Sequence, residues 1–542
     1  MRPNRPRPRR RAHRAPRPAA PPGPALGPAL APLVLALGLL APAPAAAQGA
    51  GAPRIDSPAA SRIDTLALRE HTRFLADDRL RGRGTGTAGA RRAARYIRDQ
   101  LRRIGVPGAA ADGAYLQPVP LREATIDDAA TRVVVERAGR RQAFRSGEDF
   151  FVERGGRGAF RDFAGAALFV GTAGLARDAL AGHERLDGRV LVLIGTLGSK
   201  SAALVPEWIR RGAAGMIFLI PDADRFRAFA RARGGDRLYV DADVDDPVWQ
   251  PRLPTLVAGP RLSAALLADA PLAPDALDGN RPFHALPLDR TVEATIRTTV
   301  RDVAAANVAA MIPGSDPARR DEVVVYTAHY DHLGIGAPDE SGDSIYNGFS
   351  DNAAGVAMLL AIAETMVREP PARSVLFLFL TGEEMGLLGS SYYAAAPVVP
   401  LERTVAVINL DAGAPPAPPR SWRVAGGTAS TLGDIARRVA ADRGWEAEPS
   451  SARPNSDYWP FLRRGVPAVF LIPGTEWDGV DRAEREALHA RWDRYHQPGD
   501  EWAPDFPFAG LQRYAEFALA LGSEVANVEG RPKMLTADRV GS

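Results

Sequence analysis

At 542 residues the chain is too long for one compact domain and predicts two or three. Lys and Arg number 68 against 64 Asp and Glu, but 8 of those bases are Arg residues in the first 47 positions, which hold no acid; setting them aside leaves 60 bases against 64 acids, and nothing then favours a nucleic-acid partner. The absence of cysteine excludes disulfides, a lipid-modified cysteine and thiolate ligands, so any metal site must use His and carboxylate.

In chain order, residues 1–47 have the three parts of a secretory signal: Arg2 to Arg17, the apolar run PLVLALGLLA at 32–41, and Ala45, Ala46 and Ala47 before Gln48. The run is too short to span a bilayer. The expectation is export to the periplasm or beyond, with no stable membrane insertion after the signal is removed; an uncleaved anchor is the competing reading. From residue 61 the pattern predicts two helices, the second with Ala93, Ala94, Ile97, Leu101 and Ile104 on one side and Gly105 as its stop. The loop RGRGTGT between them, 81–87, has no strand before it and no Lys-Ser pair after it, so it reads as a helix connection rather than a phosphate cradle.

Residues 118–288 change character to short β-like runs (TRVVVE, AALFVG, RVLVLIG, AGMIFLI, TLVAG) without clusters of His and acids, which predicts an inserted domain. Its strand-helix-strand unit, LDGRVLVLIG to AGMIFLI, resembles the protease-associated domain. The main pattern resumes near 292. Val323 to Tyr326 predict a strand covered on both faces, with His329 and Asp331 at its carboxyl end. Asp351 opens a buried helix from 353, the run SVLFLFL at 374–380 stops before Glu383 and Glu384, and VAVINL at 405–410 stops at Asp411. Downstream, His496 precedes the turn sequence Gln497, Pro498, Gly499. In open α/β sheets ligands bind outside the carboxyl ends of the strands, where all of these groups fall.

A pair of divalent ions needs one bridging carboxylate and further ligands for each ion. His329, Asp351, Glu384, Asp411 and His496 supply that set, which leaves Glu383 free to take a proton and Asp331 to orient the His329 ring. Taken singly, a His at a strand end reads as structural and a Glu pair as a solvated turn; their order along the chain, each at a strand end, argues for a site. His332 reads as second to the ligands or as surface.

The ordered set TAHYDHLG, YNGFSDNAAG, TGEEMGLLGS, VINLDAG and YHQPGDE resembles the co-catalytic zinc aminopeptidase family that also holds glutamate carboxypeptidase. The resemblance implies two Zn2+ per chain: His329 and Asp411 on one, Glu384 and His496 on the other, Asp351 bridging, Glu383 as general base and Asp331 as orienting residue. The chain departs from the family at Ser456, Asp457, Tyr458, where SDH is frequent, and at Ser350. The carbonyl-polarising group therefore falls to Tyr458 or Arg453, either of which can donate to an oxyanion.

The expected fold is α/β, a doubly wound and mainly parallel sheet with helices on both faces, plus the smaller β-rich protease-associated insertion. The predicted domains are a signal at 1–47, the catalytic domain at 48–117 and 289–530, the insertion at 118–288 and a polar tail at 531–542. The expected activity is hydrolysis of a peptide or protein substrate from the amino end, through water held between two zincs and deprotonated by Glu383. Acids in the loops at 335–349 (Asp339, Glu340, Asp343) and 474–481 (Glu476, Asp478, Asp481) favour an ammonium, against Arg453, Arg463 and Arg464. The rivals are a carboxypeptidase of the same family, a single-zinc glutaminyl cyclase and a receptor-like binding protein that has lost ligands; the five ligands present argue against the last two.

Overall fold

The runs VVVYTAH, SVLFLFL and TVAVIN are apolar along nearly their whole length and form strands buried at every position, as such runs must where helices cover both faces of a sheet. The computed structural model describes residues 63–153, 159–172, 176–195, 204–233, 237–242, 253–271 and 284–535; the expected signal at 1–47 and the tail from 536 lie outside them. Among the described residues the first sheet has nine strands. They are β1 (Leu116–Ile126), β2 (Arg237–Val240), β3 (Thr298–Ile312), β4 (Val323–His329), β5 (Ser374–Leu380), β6 (Thr404–Asn409), β7 (Ser421–Ala425), β8 (Glu446–Ser450) and β9 (Ala468–Pro473).

The spatial order is β8-β7-β9-β6-β4-β5-β3-β1-β2. The central strands β9, β6, β4 and β5 are parallel neighbours, which fits the expected doubly wound class. The margins differ from that expectation: β3, β1 and β2 join antiparallel on one side, and β7 runs antiparallel to β9 on the other. Register sets the ends of the central strands level, with His329 opposite Leu380 and Thr327 opposite Asn409.

Alternation along the strands sorts the core into two layers. Val324, Tyr326, Phe377, Phe379 and Ile408 pack against the helices α1 (Thr65–Leu75), α2 (Ala88–Arg103), α3 (Ala354–Met366) and α4 (Ala509–Asn527). Val323, Val325, Leu376, Leu378 and Val407 face the other way, against Tyr393 and Phe461 of two short helices. Helix α2 buries Ala90, Ala93, Ala94, Ile97 and Leu101 and turns its arginines outward, as its period predicts. Helix α3 is buried almost all round, which is why its sequence carries Ala, Leu, Ile and Met with hardly a charge. No described helix is long and apolar enough to cross a membrane.

A second sheet of eight strands takes its residues from Arg132 to Thr295 and has its own apolar layer on each face. Val190–Ile194, the helix Val205–Arg210 and Gly215–Leu219 form the parallel strand-helix-strand unit marked in the sequence. The limits of this sheet differ from 118–288. Residues 116–126 belong to the first sheet as β1, and 286–295 belong to the second. The cause is the β1–β3 ladder, paired over the whole of β1 from Leu116–Val308 to Ile126–Thr298, along which the chain leaves the first sheet and returns to it. Strand β2 also returns from within this stretch to pair with β1.

Candidate metal centre

Each side chain of the centre is delivered by the end of a buried element. His329 is the last residue of β4, and Asp411 follows β6 by two positions. Glu383 and Glu384 lie on the turn after β5, and buried Asn307 of β3 staples both sides of that turn: its Oδ1 accepts from Thr381 N at 3.2 Å and its Nδ2 donates to Gly389 O at 3.0 Å. Asp351 precedes α3, joined to Asn352 by a cis peptide bond. The approach of α3 to β6 requires glycine at 355, where a Cβ would lie 2.4 Å from the Leu410 carbonyl oxygen.

Two groups of ligand atoms result. In one, His329 Nε2 lies 2.8 Å from Asp411 Oδ1 and 3.1 Å from Asp351 Oδ1. In the other, His496 Nε2 lies 3.0 Å from Asp351 Oδ2 and 3.4 Å from Glu384 Oε2, while His332 Nδ1 lies 2.7 Å from Glu384 Oε1. Asp351 belongs to both and turns one oxygen toward each. Within each group the ligand atoms lie within 4.8 Å of one another.

Buried carboxylates packed this closely need a compensating cation. Burial by itself pushes the His329 imidazole down, but the Asp411 and Asp351 carboxylates outweigh it and raise its pKa well above the ordinary value. His496 behaves likewise: burial lowers it, and Asp351 and Glu384 lift it to about 10. Burial raises the Glu383 carboxyl well above the carboxylate range, with Asp411, Asp457 and Glu384 adding to the effect against the pull of His329. Here the imidazoles take up protons to balance the acids. A divalent cation does the same work and returns them to the neutral form that binds metal. Imidazole and carboxylate donors without thiolate suit zinc or a harder divalent ion.

The structure brings His329, Asp351, Glu384, Asp411 and His496 together, and Glu383 stands within electrostatic reach of the first group. Asp331 is fully buried but not in the expected relation to His329. The ring Nδ1 lies 3.1 Å from the Asp331 main-chain oxygen and 3.8 Å from its carboxylate, which instead accepts the Glu383 N–H at 3.3 Å. Tyr458 does not face the centre. Its ring packs beside Phe470 in the core, and its hydroxyl donates to Arg453 O at 2.6 Å and accepts from Arg453 N at 2.7 Å. An apolar ring in an α/β core has no reason to turn outward, so the expected carbonyl-polarising role is corrected for Tyr458. The Arg453 side chain is exposed, and its main chain serves to hold Tyr458.

The acids at 476–481 are committed elsewhere. Glu476 pairs with Arg485, Asp478 pairs with Arg513, and Asp481 caps the helix that follows it. Trp477 is buried against His489.

Three residues outside the expected ligand set hold the centre, one of them His332, read from the sequence as second to the ligands or as surface. His332 is completely buried at Glu384. Asp500, also buried, accepts the main-chain N–H of Ser350 at 2.9 Å and of Asp351 at 3.1 Å. Ser456 donates to Asp411 Oδ2 and accepts from Asn409 Nδ2 at 2.6 Å. Only the position of Asp500, two residues past Pro498 within YHQPGDE, and of Ser456, beside Asp457, hinted at them.

Residues 307–521 match the sequence profile described as Peptidase family M28. Aminopeptidase YwaD of Bacillus subtilis is 25% identical over 226 residues, 40% of this chain and 44% of that protein. The probable leucine aminopeptidase 2 of Aspergillus fumigatus is 28% identical over 196 residues, 34% of this chain and 36% of its own length. The chain thus spans less than half the length of these curated relatives. The solved aminopeptidase from Aneurinibacillus sp. strain AM-1 shares the fold, with a TM-score of 0.50 and 18% identity over 88% of this chain and 98% of that one.

Proposed function

We propose, from the match of residues 307–521 to the peptidase family M28 profile and from the geometry of the centre, that this chain is an exported two-zinc aminopeptidase. The observation that carries the reading is Asp351, whose two oxygens face two separate groups of His and carboxylate donors. His329, Asp411 and Asp351 would hold one ion; His496, Glu384 and Asp351 would hold the other. The zinc pair would supply a polarised peptide carbonyl and an attacking water of lowered pKa.

The chain's own residues do the rest. Glu383 accepts the proton as water attacks the carbonyl carbon, then passes it to the leaving amine as the C–N bond breaks. Asp331 holds the Glu383 main chain, and Asp500 holds that of Asp351, so the base and the shared carboxylate keep fixed positions. Support for release from the amino end is an acidic rim, since a terminal ammonium needs carboxylates. Glu501 has its pKa raised by partial burial and then by Asp343, Asp78 and Asp339, which puts those three acids within electrostatic reach of it. The names of the curated relatives agree with this polarity.

Elemental analysis of the purified full chain should find two zinc ions. One short peptide with a free amino end and a blocked carboxyl end should be cleaved, and its reverse should not. Cleavage of the amino-blocked peptide alone would overturn the polarity and leave the two-zinc centre standing.

A further inference from the structure

The loop 81–87, whose sequence reads as a plain helix connection, reaches the centre from more than two hundred residues upstream of it and from outside the matched segment. Its backbone is unusual: Arg81, Gly82 and Arg83 lie in succession in the left-handed region, at φ 50°, 66° and 49°. No side chain fits at 82, where a Cβ would sit 2.3 Å from the Gly334 carbonyl oxygen.

Arg83 is 1% exposed, and its guanidinium donates to four main-chain oxygens. Nε reaches Tyr330 O at 2.9 Å, Nη1 reaches Leu75 O and Asn347 O at 2.5 Å, and Nη2 reaches Gly348 O at 2.9 Å. One side chain thus ties the end of α1, the end of β4 and the segment before Asp351 to the loop. Burial lowers its pKa to about 10, against the pull of Asp351, Asp500, Asp331 and Glu384, so it stays charged at neutral pH. Two residues on, Thr85 Oγ1 donates to Asp331 Oδ2 at 2.7 Å. The other oxygen of Asp331 accepts the Glu383 N–H.

We propose that Thr85 is a positioning residue for the hydrolysis, its hydroxyl fixing the Asp331 carboxylate that in turn holds the main chain of Glu383. The proposal rests on the two-zinc peptidase reading. Arg83 clamps the loop so that the hydroxyl arrives at Asp331, and β4 supplies Asp331 within two residues of a metal ligand. Without the hydroxyl, one oxygen of Asp331 loses its partner and the turn that carries Glu383 and the ligand Glu384 loosens.

The test compares the zinc-loaded full chain with Thr85→Val, which keeps the shape, and Thr85→Ser, which keeps the hydroxyl. Thr85→Val should lower kcat by about 10-fold or more with KM nearly unchanged, and should release zinc to a competing chelator faster, as loss of an outer partner does. Thr85→Ser should restore both, and thermal melting should show all three chains folded. Wild-type kcat and zinc release in Thr85→Val would overturn the proposal; so would equal impairment of both variants, since the hydroxyl kept in Thr85→Ser would then not be what matters. If the wild type cleaves no peptide, the aminopeptidase reading falls, and zinc release still decides the role of Thr85.

Discussion

Because Asp351 turns one oxygen to each ligand group, Asp351→Asn is expected to lower the occupancy of both ions, whereas a change at Asp411 or His496 should act on one; zinc counting on the purified variants checks this. Glu383→Gln should keep both ions and lose about 100-fold or more in turnover, and full activity in that variant would remove the base from Glu383. His332→Ala should weaken the ion held by Glu384 and His496 by roughly 10- to 100-fold while sparing the one at His329, measured by competition with a chelator. The residues that the sequence made legible are those directly at the end of an apolar run: His329 ends β4, and Glu383 and Asp411 follow β5 and β6 within three positions. Those it hid act through the main chain or across long gaps. Asp500 binds amides 150 residues away, Thr85 binds Asp331 across 246, and nothing in their own neighbourhood marks them. Tyr458 misled because its place in a ligand-like motif concealed an aromatic ring that the core needed.

Elements carry their own consequences. Helices α1 and α2 meet at His71, 4% exposed, whose Nδ1 lies 2.7 Å from the Tyr96 hydroxyl. Burial lowers the His71 pKa from 6.5 to about 4, with Arg103 adding to it. The group is neutral in both folded and unfolded chains above about pH 6.5; below that the unfolded chain binds the proton more readily, so stability falls as pH drops from about 6.5 toward 4, by up to about 3 kcal/mol. Urea melts at pH 7 and pH 4.5 should show a smaller loss for His71→Phe than for the wild type. At the start of α3, Gly355→Ala forces a Cβ against Leu410 O and Asn352 Oδ1 and should destabilise by about 1–3 kcal/mol in urea melts, with zinc occupancy reduced because Asp351 sits beside it. The central strands were readable because continuous apolar runs permit little else. The antiparallel margins were not, because residue pattern specifies burial and leaves the direction of a neighbouring strand open.

At the scale of the whole molecule, the second sheet has apolar layers of its own on both faces, so a fragment of residues 127–296 is expected to fold alone and melt cooperatively. A broad, non-cooperative melt would show that β2, lent to the first sheet, is needed to support it. Whether the insertion screens substrates by size is checked by comparing long and short peptides before and after its removal, and equal ratios would count against it. The β1–β3 ladder has a further consequence, in time rather than in space. Strand β1 leaves the ribosome with no partner, since β3 begins only at Thr298, and the intervening 170 or so residues take roughly 9 to 34 s to synthesise. All strands of the second sheet therefore precede β3 in the chain, and β1 waits as an unpaired edge, to be met first by the short β2 at 237–240. Pairing with β2 covers the edge of β1 opposite to the one that β3 takes. His496 emerges later still, so the centre is among the last things that translation completes, and the growing chain passes most of its synthesis without it.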